Sequence, residues 1–94
     1  MIIGVITQQP NEVLDYTVDF SDFCADGSIT DVELFFEDTD VEPPTIVASS
    51  VVDELFVKFV LTGGGTGTTH KLTIRVTANE LVKEDEIKVR IKEI

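Results

Sequence analysis

The sequence predicts an all-β fold, a sandwich of six to seven short antiparallel strands with an extended N-terminal arm, on three observations. Apolar and polar residues alternate at period two in two C-terminal runs: Leu72, Ile74 and Val76 between Lys71, Thr73, Arg75 and Thr77, then Ile87, Val89 and Ile91 between Glu86, Lys88, Arg90 and Lys92. Residues two apart share one face of a strand, so each run buries a β-branched stripe and shows a charged one. Turn-forming residues recur at short intervals, and apart from a turn or so at residues 79–83 no stretch carries a helical period. With 94 residues the chain holds one domain, divided into an arm of residues 1–11 and a sandwich of residues 12–94.

Taken in order, residues 1–11 read as the arm, because Pro10 removes a backbone donor and biases Gln9 toward an extended conformation. Its apolar residues Ile2, Ile3, Val5 and Ile6 are unlike a free tail. Either the arm is an edge strand of its own domain or it is donated to a neighbouring copy. From Val13 the pattern settles, with Leu14, Tyr16, Val18 and Phe20 on one side and Asp15, Thr17 and Asp19 on the other. Residues 21–27 form a turn around Asp26-Gly27, and Phe23 and Cys24 within it are expected to fold back and plug one end of the core. The next strand, residues 28–36, turns Val32, Leu34 and Phe36 inward and leaves Phe35 on the charged face as a candidate partner contact.

Residues 37–44 are acidic and end in Pro43-Pro44, which stops a strand and stiffens a connection. Residues 45–50 form a weakly patterned edge strand. Residues 54–62 place Leu55, Val57, Phe59 and Leu61 on one face and Phe56, Lys58 and Val60 on the other, so Phe56 and Val60 are either buried from a second side or part of an interface. A permissive glycine loop, residues 63–69, leads into the two C-terminal strands, which are expected to pair through a loop at residues 78–85. Strand number and alternation make an immunoglobulin-like sandwich the natural closure, without the paired cysteines and tryptophan of antibody domains; a partly open barrel is the other.

Composition limits the function. A formal net charge of −11 opposes sequence-independent binding to nucleic acid, whose affinity comes from Lys and Arg neutralising phosphates. The charge is uneven: residues 1–57 hold 13 acidic and no basic residues, and residues 58–94 hold all 7 basic residues against 5 acidic ones. If Asp15, Asp19, Asp31 and Glu33 lie opposite Lys71, Arg75, Lys88, Arg90 and Lys92, copies meet acidic face to basic face; otherwise these charges simply solvate both sheets. One cysteine, Cys24, excludes an intrachain disulfide and fits a reducing compartment. The short apolar start lacks the flanks of a signal peptide and the length of a membrane span, so a soluble protein is expected, with no membrane partner.

No constellation of residues carries an obvious chemistry. Residues 63–69 hold four glycines, but a phosphate loop needs Lys and Ser/Thr after its last glycine and a helix beyond; here Thr68, Thr69 and a strand follow. His70 and Cys24 are the only residues of their kinds and sit far apart in the chain, reading as a strand-end histidine and a buried structural thiol. Asp38, Asp40 and Glu42, or Asp19, Asp22 and Asp26, are the sets a calcium ion would use, although Asp at turns is expected for its local hydrogen bonds. The alternative function is therefore a calcium- or carbohydrate-binding sandwich on a virion or cell surface, the sugar variant weakened by the absence of tryptophan. No cofactor and no enzymatic activity are expected.

Residues 10–29, Pro-Asn-Glu-Val-Leu-Asp-Tyr-Thr-Val-Asp-Phe-Ser-Asp-Phe-Cys-Ala-Asp-Gly-Ser-Ile, resemble the opening of a family of small tailed-phage virion proteins, the phage fibre-tail adaptors. Members read Pro-x-Glu-x-Leu-Asp-Tyr, then an aromatic-Ser/Thr-Asp-aromatic-Leu element, then a Gly-Asp-x-Ile turn. Here Phe20 and Phe23 stand where tryptophan is common, Cys24 where leucine is usual, and Asp26-Gly27-Ser28 is a shortened turn. Residues 61–70, Leu-Thr-Gly-Gly-Gly-Thr-Gly-Thr-Thr-His, are similar to the family's step into its penultimate strand. The resemblance spans residues 9–94. It implies an immunoglobulin-like, non-enzymatic component of a phage or prophage virion at the head-tail or tail-fibre junction, assembled in the host bacterial cytoplasm. It also implies tail, connector or fibre proteins and further copies of the chain as partners. The residues offered for those contacts are Ile2, Ile3, Val5, Phe35, Phe56, Val60, Lys88 and Arg90.

Overall fold

The alternation read from the sequence becomes two facing sheets in the computed structural model, which describes residues 2–25, 27–36 and 43–93. Among them are seven strands, β1 (Ile2–Gln8), β2 (Val13–Asp19), β3 (Ile29–Phe36), β4 (Thr45–Val52), β5 (Phe56–Thr62), β6 (Thr69–Ala78) and β7 (Leu81–Ile91), and one helical turn, α1 (Ser21–Cys24). The strands form a four-stranded sheet in the order β1-β7-β6-β3 and a three-stranded sheet in the order β2-β5-β4. The expected all-β sandwich of six to seven strands is the observed fold. The ladder of β1 on β7 is parallel, and the other ladders are antiparallel. Residues 2–8 are thus an edge strand of their own sheet, the first of the two alternatives for the arm.

The core is built from the predicted stripes. Leu72, Ile74 and Val76 of β6, Ile87, Val89 and Ile91 of β7, and Val57, Phe59 and Leu61 of β5 are buried between the sheets. Burial of each such side chain contributes about 1.5–3 kcal/mol, set against the entropy of fixing the backbone. Tyr16 stacks tilted on Phe59 at 5.6 Å between ring centroids. Phe20, Cys24 and Ile29 close one end, with Phe23 packed partly against them, so the connection after β2 plugs the core as expected. That end is tied by backbone bonds from Phe20 N–H to Leu55 O (3.0 Å) and Ile29 N–H to Glu54 O (2.9 Å). The opposite end closes through the glycine loop, where Gly64 at φ +101° has no room for a Cβ, which would lie 2.9 Å from Ile91 Cγ1.

Two expectations are corrected. The loop expected at residues 78–85, and the helical turn at residues 79–83, are a two-residue turn, because Asn79 (φ 53°) and Glu80 (φ 66°) both take left-handed conformations and β7 starts at Leu81. Lys83 and Asp85 obscured that strand, since they occupy inward-facing positions opposite Val76 and Ile74. Asp31 and Glu33 do not lie opposite the last two strands: β3 pairs with β6, so Glu33 is directly beside Arg75 on one sheet face. Phe35 lies on the charged outer face of its sheet, where the sequence put it, and is half-buried there. The acids Asp26, Asp38, Asp40 and Glu42, the connection over residues 37–42, and the side chains of Ile2 and Ile3 lie outside the described residues.

Candidate partner-binding surfaces

Strand alternation aims every second residue of β1, β7, β6 and β3 at solvent, and register sets which of them are neighbours. On this outer face Arg75 is flanked by Glu84 of β7, reached by its Nε at 2.8 Å, and by Glu33 of β3, reached by NH1 at 3.2 Å. The hydrogen bond it donates to Glu84 and then the charge of that carboxylate, with Glu33 adding to both, hold the guanidinium further above its ordinary value. The same guanidinium lies 5.3 Å from the centre of the Phe35 ring, which explains the half-burial of that aromatic. Lys71 pairs with Glu86 at 3.7 Å. That half of the face is neutralised by its own residues.

The other half is different. Val5 stands beside Lys88 and Thr7 beside Arg90 in the β1–β7 ladder, and all four are exposed. Among the described residues neither Lys88 nor Arg90 has an acidic partner, so a chain with a large negative charge carries two uncompensated cations on the outer face of β7, beside the edge strand β1. Between β1 and β2 a groove of about 340 Å³ opens, lined by Ile6, Tyr16, Val18 and Ile87, with Gly4 leaving it wide. The Tyr16 hydroxyl beside it is pushed above its ordinary range by burial, then by the charges of Glu12 and Asp15.

The outer face of the three-stranded sheet carries Phe56 and Val60 on β5, both half-buried, with Lys58 between them paired to Asp15 of β2 at 3.5 Å. Phe56 and Val60 therefore share a surface, and Val5, Phe35, Lys88 and Arg90 share the opposite one. Sequence reasoning missed the exposed valines of β4: Val47, Val51 and Val52 all reach solvent. A signal was present, since residues 45–52 hold no charged residue and no clean alternation. Leu81 and Val82, exposed at the start of β7, were hidden in the residues taken for a loop.

Cys24, His70 and Asp19 are each engaged within the fold. Cys24 is fully buried and its carbonyl accepts from Asn79 Nδ2 at 2.8 Å. His70 is buried against the edge of Phe36, with Nε2 2.7 Å from Thr68 Oγ1. The same hydroxyl donates to Gly65 O, so Thr68 ties the ring to the glycine loop. Asp19 accepts from Ser21 N–H at 2.8 Å, and its bonds to the Ser21 side chain and backbone hold its carboxyl below the ordinary value. Among the described residues no three His, Cys, Asp or Glu side chains come together as metal ligands, and no helix is long and apolar enough to cross a membrane. A polar cleft of about 390 Å³ is lined by Gln9, Pro10, Asn11, Glu12, Thr66 and Glu93, with its two carboxylates as the ionisable groups.

Comparison with known proteins gives a family and a fold. No curated protein sequence matches the chain. Among solved structures it is similar to part of an endo-fucoidan hydrolase from glycoside hydrolase family 107, with a TM-score of 0.55 and 12% identity over 96% of this chain. It spans 13% of the length of that enzyme, and the likeness is one of fold alone. Residues 8–90 match the family model described as podophage GP4 fiber-tail adaptor protein gp77. The match runs from the last residue of β1 to the penultimate residue of β7, and on it the chain belongs to the podophage GP4 fiber-tail adaptor family.

Proposed function

We propose that this chain is a non-enzymatic structural component of a podophage virion, an adaptor between tail and fibre that acts through protein contacts. The family match over residues 8–90 carries the reading. The strand order supports it: β2-β5-β4 packed on β7-β6-β3 follows the immunoglobulin-like arrangement, a rigid scaffold widely used to present surfaces rather than to enclose substrates. Among the described residues Asp15, Glu33, Glu84, Asp85 and Glu86 are ion-paired and Asp19 is engaged by a turn, which supports a structural use for these acids. Exposed valines on both sheets and the cations Lys88 and Arg90 on the outer face of β7 are the contacts it offers to other tail proteins and to further copies of itself. Assembly takes place in the host bacterial cytoplasm, where Cys24 stays reduced. Deleting the coding gene from the phage tests the role: electron microscopy is expected to show particles with tails but without fibres, restored by the gene in trans. Fully fibred, infectious particles from the deletion would overturn it.

A further inference from the structure

Four strand edges end the two sheets, and β1 differs from the others in what surrounds it. The edges β2 and β3 carry outward acids, Asp15 and Asp19 on one, Asp31 and Glu33 on the other, which is how natural sheets block unwanted pairing. Along β1 there is no charged residue and no proline. Gln8 O accepts from Lys92 N–H at 3.0 Å, so strand alternation turns the backbone groups of Gln8, Ile6 and Gly4 towards β7 and those of Val5 and Thr7 towards the open edge. Among the described residues no strand takes up that edge, and the side chains of Val5 and Thr7 are exposed. A partner strand laid along β1 would find these donors and acceptors available.

The side chains around this edge specify what such a strand must carry. Inward, the stripe of Gly4, Ile6 and Gln8 has a gap at Gly4, where a Cβ would meet no atom within 4 Å. The gap opens into the groove of about 340 Å³ between β1 and β2, walled by half-buried Ile6, Tyr16 and Val18 over buried Ile87. Apolar side chains of an added strand would fill it. Asp19, at the rim of the groove, is already held by Ser21 N–H at 2.8 Å. Outward, Lys88 stands beside Val5 and Arg90 beside Thr7, both cations exposed and without an acidic partner among the described residues. Across the β6–β7 ladder Lys88 faces Lys71, which is itself paired with Glu86 at 3.7 Å, so its nearest charged neighbour there is a like charge. An added strand lies about 9–10 Å from β7, two strand spacings, and the short Val5 and Thr7 leave Lys88 and Arg90 a path to its outward residues. Carboxylates at those positions supply the missing counter-charge. The edge β4 is equally bare, but Lys58 on the strand beside it is already paired with Asp15 at 3.5 Å.

We propose that β1 is a docking edge for an extended segment of another protein in which apolar residues alternate with acidic ones, the apolar set entering the groove and the acidic set meeting Lys88 and Arg90. The inference deepens the adaptor reading and rests on it for a protein as the occupant. An NMR titration of the full chain with a blocked peptide of about eight residues, alternating valine and glutamate, tests it in about 150 mM NaCl, where charges more than about 8 Å apart are largely screened. Saturable amide shifts are expected at Val5, Thr7, Tyr16, Val18, Lys88 and Arg90, with β4 unmoved. A peptide with the same valines and glutamates in two blocks, and one alternating serine and glutamate, are expected to bind about tenfold more weakly or not at all. Gly4→Phe fills the groove from a position outside the left-handed region. It is expected to weaken binding about tenfold or more while the melting temperature stays level or rises. Lys88→Glu with Arg90→Glu is expected to lose the valine-glutamate peptide and to gain, at the same amides, one alternating valine and lysine. An absence of saturation, equal binding of the block peptide, shifts centred on β4, or indifference to both variants each overturns the proposal. Shifts of β1 that follow protein concentration with no peptide present would make a second copy the occupant and also overturn it. Protein that binds no peptide while its gene deletion strips the fibres would remove the docking edge and leave the adaptor role in place. Peptide binding at β1 with fully fibred deletion particles would do the reverse.

Discussion

At Gln8 the two sheets are joined by a side chain rather than by apolar packing. Its amide Nε2 donates to Leu61 O at 2.8 Å and to Glu12 O at 2.9 Å, and its Oε1 accepts from Tyr16 Oη at 2.7 Å. Every polar atom of the amide is used, which is why a glutamine can be almost fully buried at the end of an edge strand. Leucine has nearly the same volume and would gain apolar contact, yet it would leave two carbonyls without donors. An unsatisfied buried group costs about 1–3 kcal/mol, so Gln8→Leu is expected to lower unfolding free energy in urea by about 2–3 kcal/mol. A loss below about 0.5 kcal/mol would mean that water serves both carbonyls. Nothing in the sequence marks this residue: Gln8 next to Gln9 and Pro10 reads as polar loop, and only the approach of β2 and β5 gives it partners.

The β6–β7 hairpin shows the same limit at the scale of an element. Its two strands were legible because Leu72, Ile74 and Val76 alternate in one and Ile87, Val89 and Ile91 in the other, with His70 and Leu72 facing Val89 and Ile87. Its turn was not, because the left-handed pair is Asn79-Glu80 where Asn-Gly is the usual signal, and because Lys83 and Asp85 interrupt the stripe. Asn79 is held by more than its dihedral angles. Its Nδ2 donates to Cys24 O, and Gly27 lies so close that a Cβ there would overlap the Asn79 amide, latching the hairpin to the β2–β3 connection. Glu80 has no such compensation, and a non-glycine residue in this region costs about 1–2 kcal/mol. Glycine relieves that strain but adds about 0.5–1 kcal/mol of chain entropy to be lost on folding. Glu80→Gly is therefore expected to stabilise by about 0.5–1 kcal/mol, read as a higher urea midpoint with unchanged slope. A lower midpoint would show that the turn does not hold both residues at positive φ.

Across the whole molecule, what the sequence could not show is the closure of first strand on last. The antiparallel pairs β4–β5 and β6–β7 are announced by the short turns between them, whereas β1 and β7 are separated by nearly the entire chain and meet in parallel, with no local signal. The two halves of that ladder contribute unequally. From β1 the core takes half-buried Ile6 and the Gln8 amide; from β7 it takes Ile87, Val89 and Ile91, all buried, worth about 5–9 kcal/mol together. A chain of 94 residues has a net stability of about 5–14 kcal/mol. A variant beginning at Gln8 loses Ile6 and several ladder bonds but also the entropy cost of ordering an edge strand, a net loss of about 1–3 kcal/mol. It is expected to unfold cooperatively at a lower urea midpoint and to keep its β-sheet circular dichroism. A variant ending at Asp85 gives up most of the available stability, leaves β6 without its partner, and is expected to be unfolded. Equal midpoints for the full chain and the variant beginning at Gln8 would mean that the parallel ladder adds nothing in solution. A folded variant ending at Asp85 would mean that the core does not depend on β7.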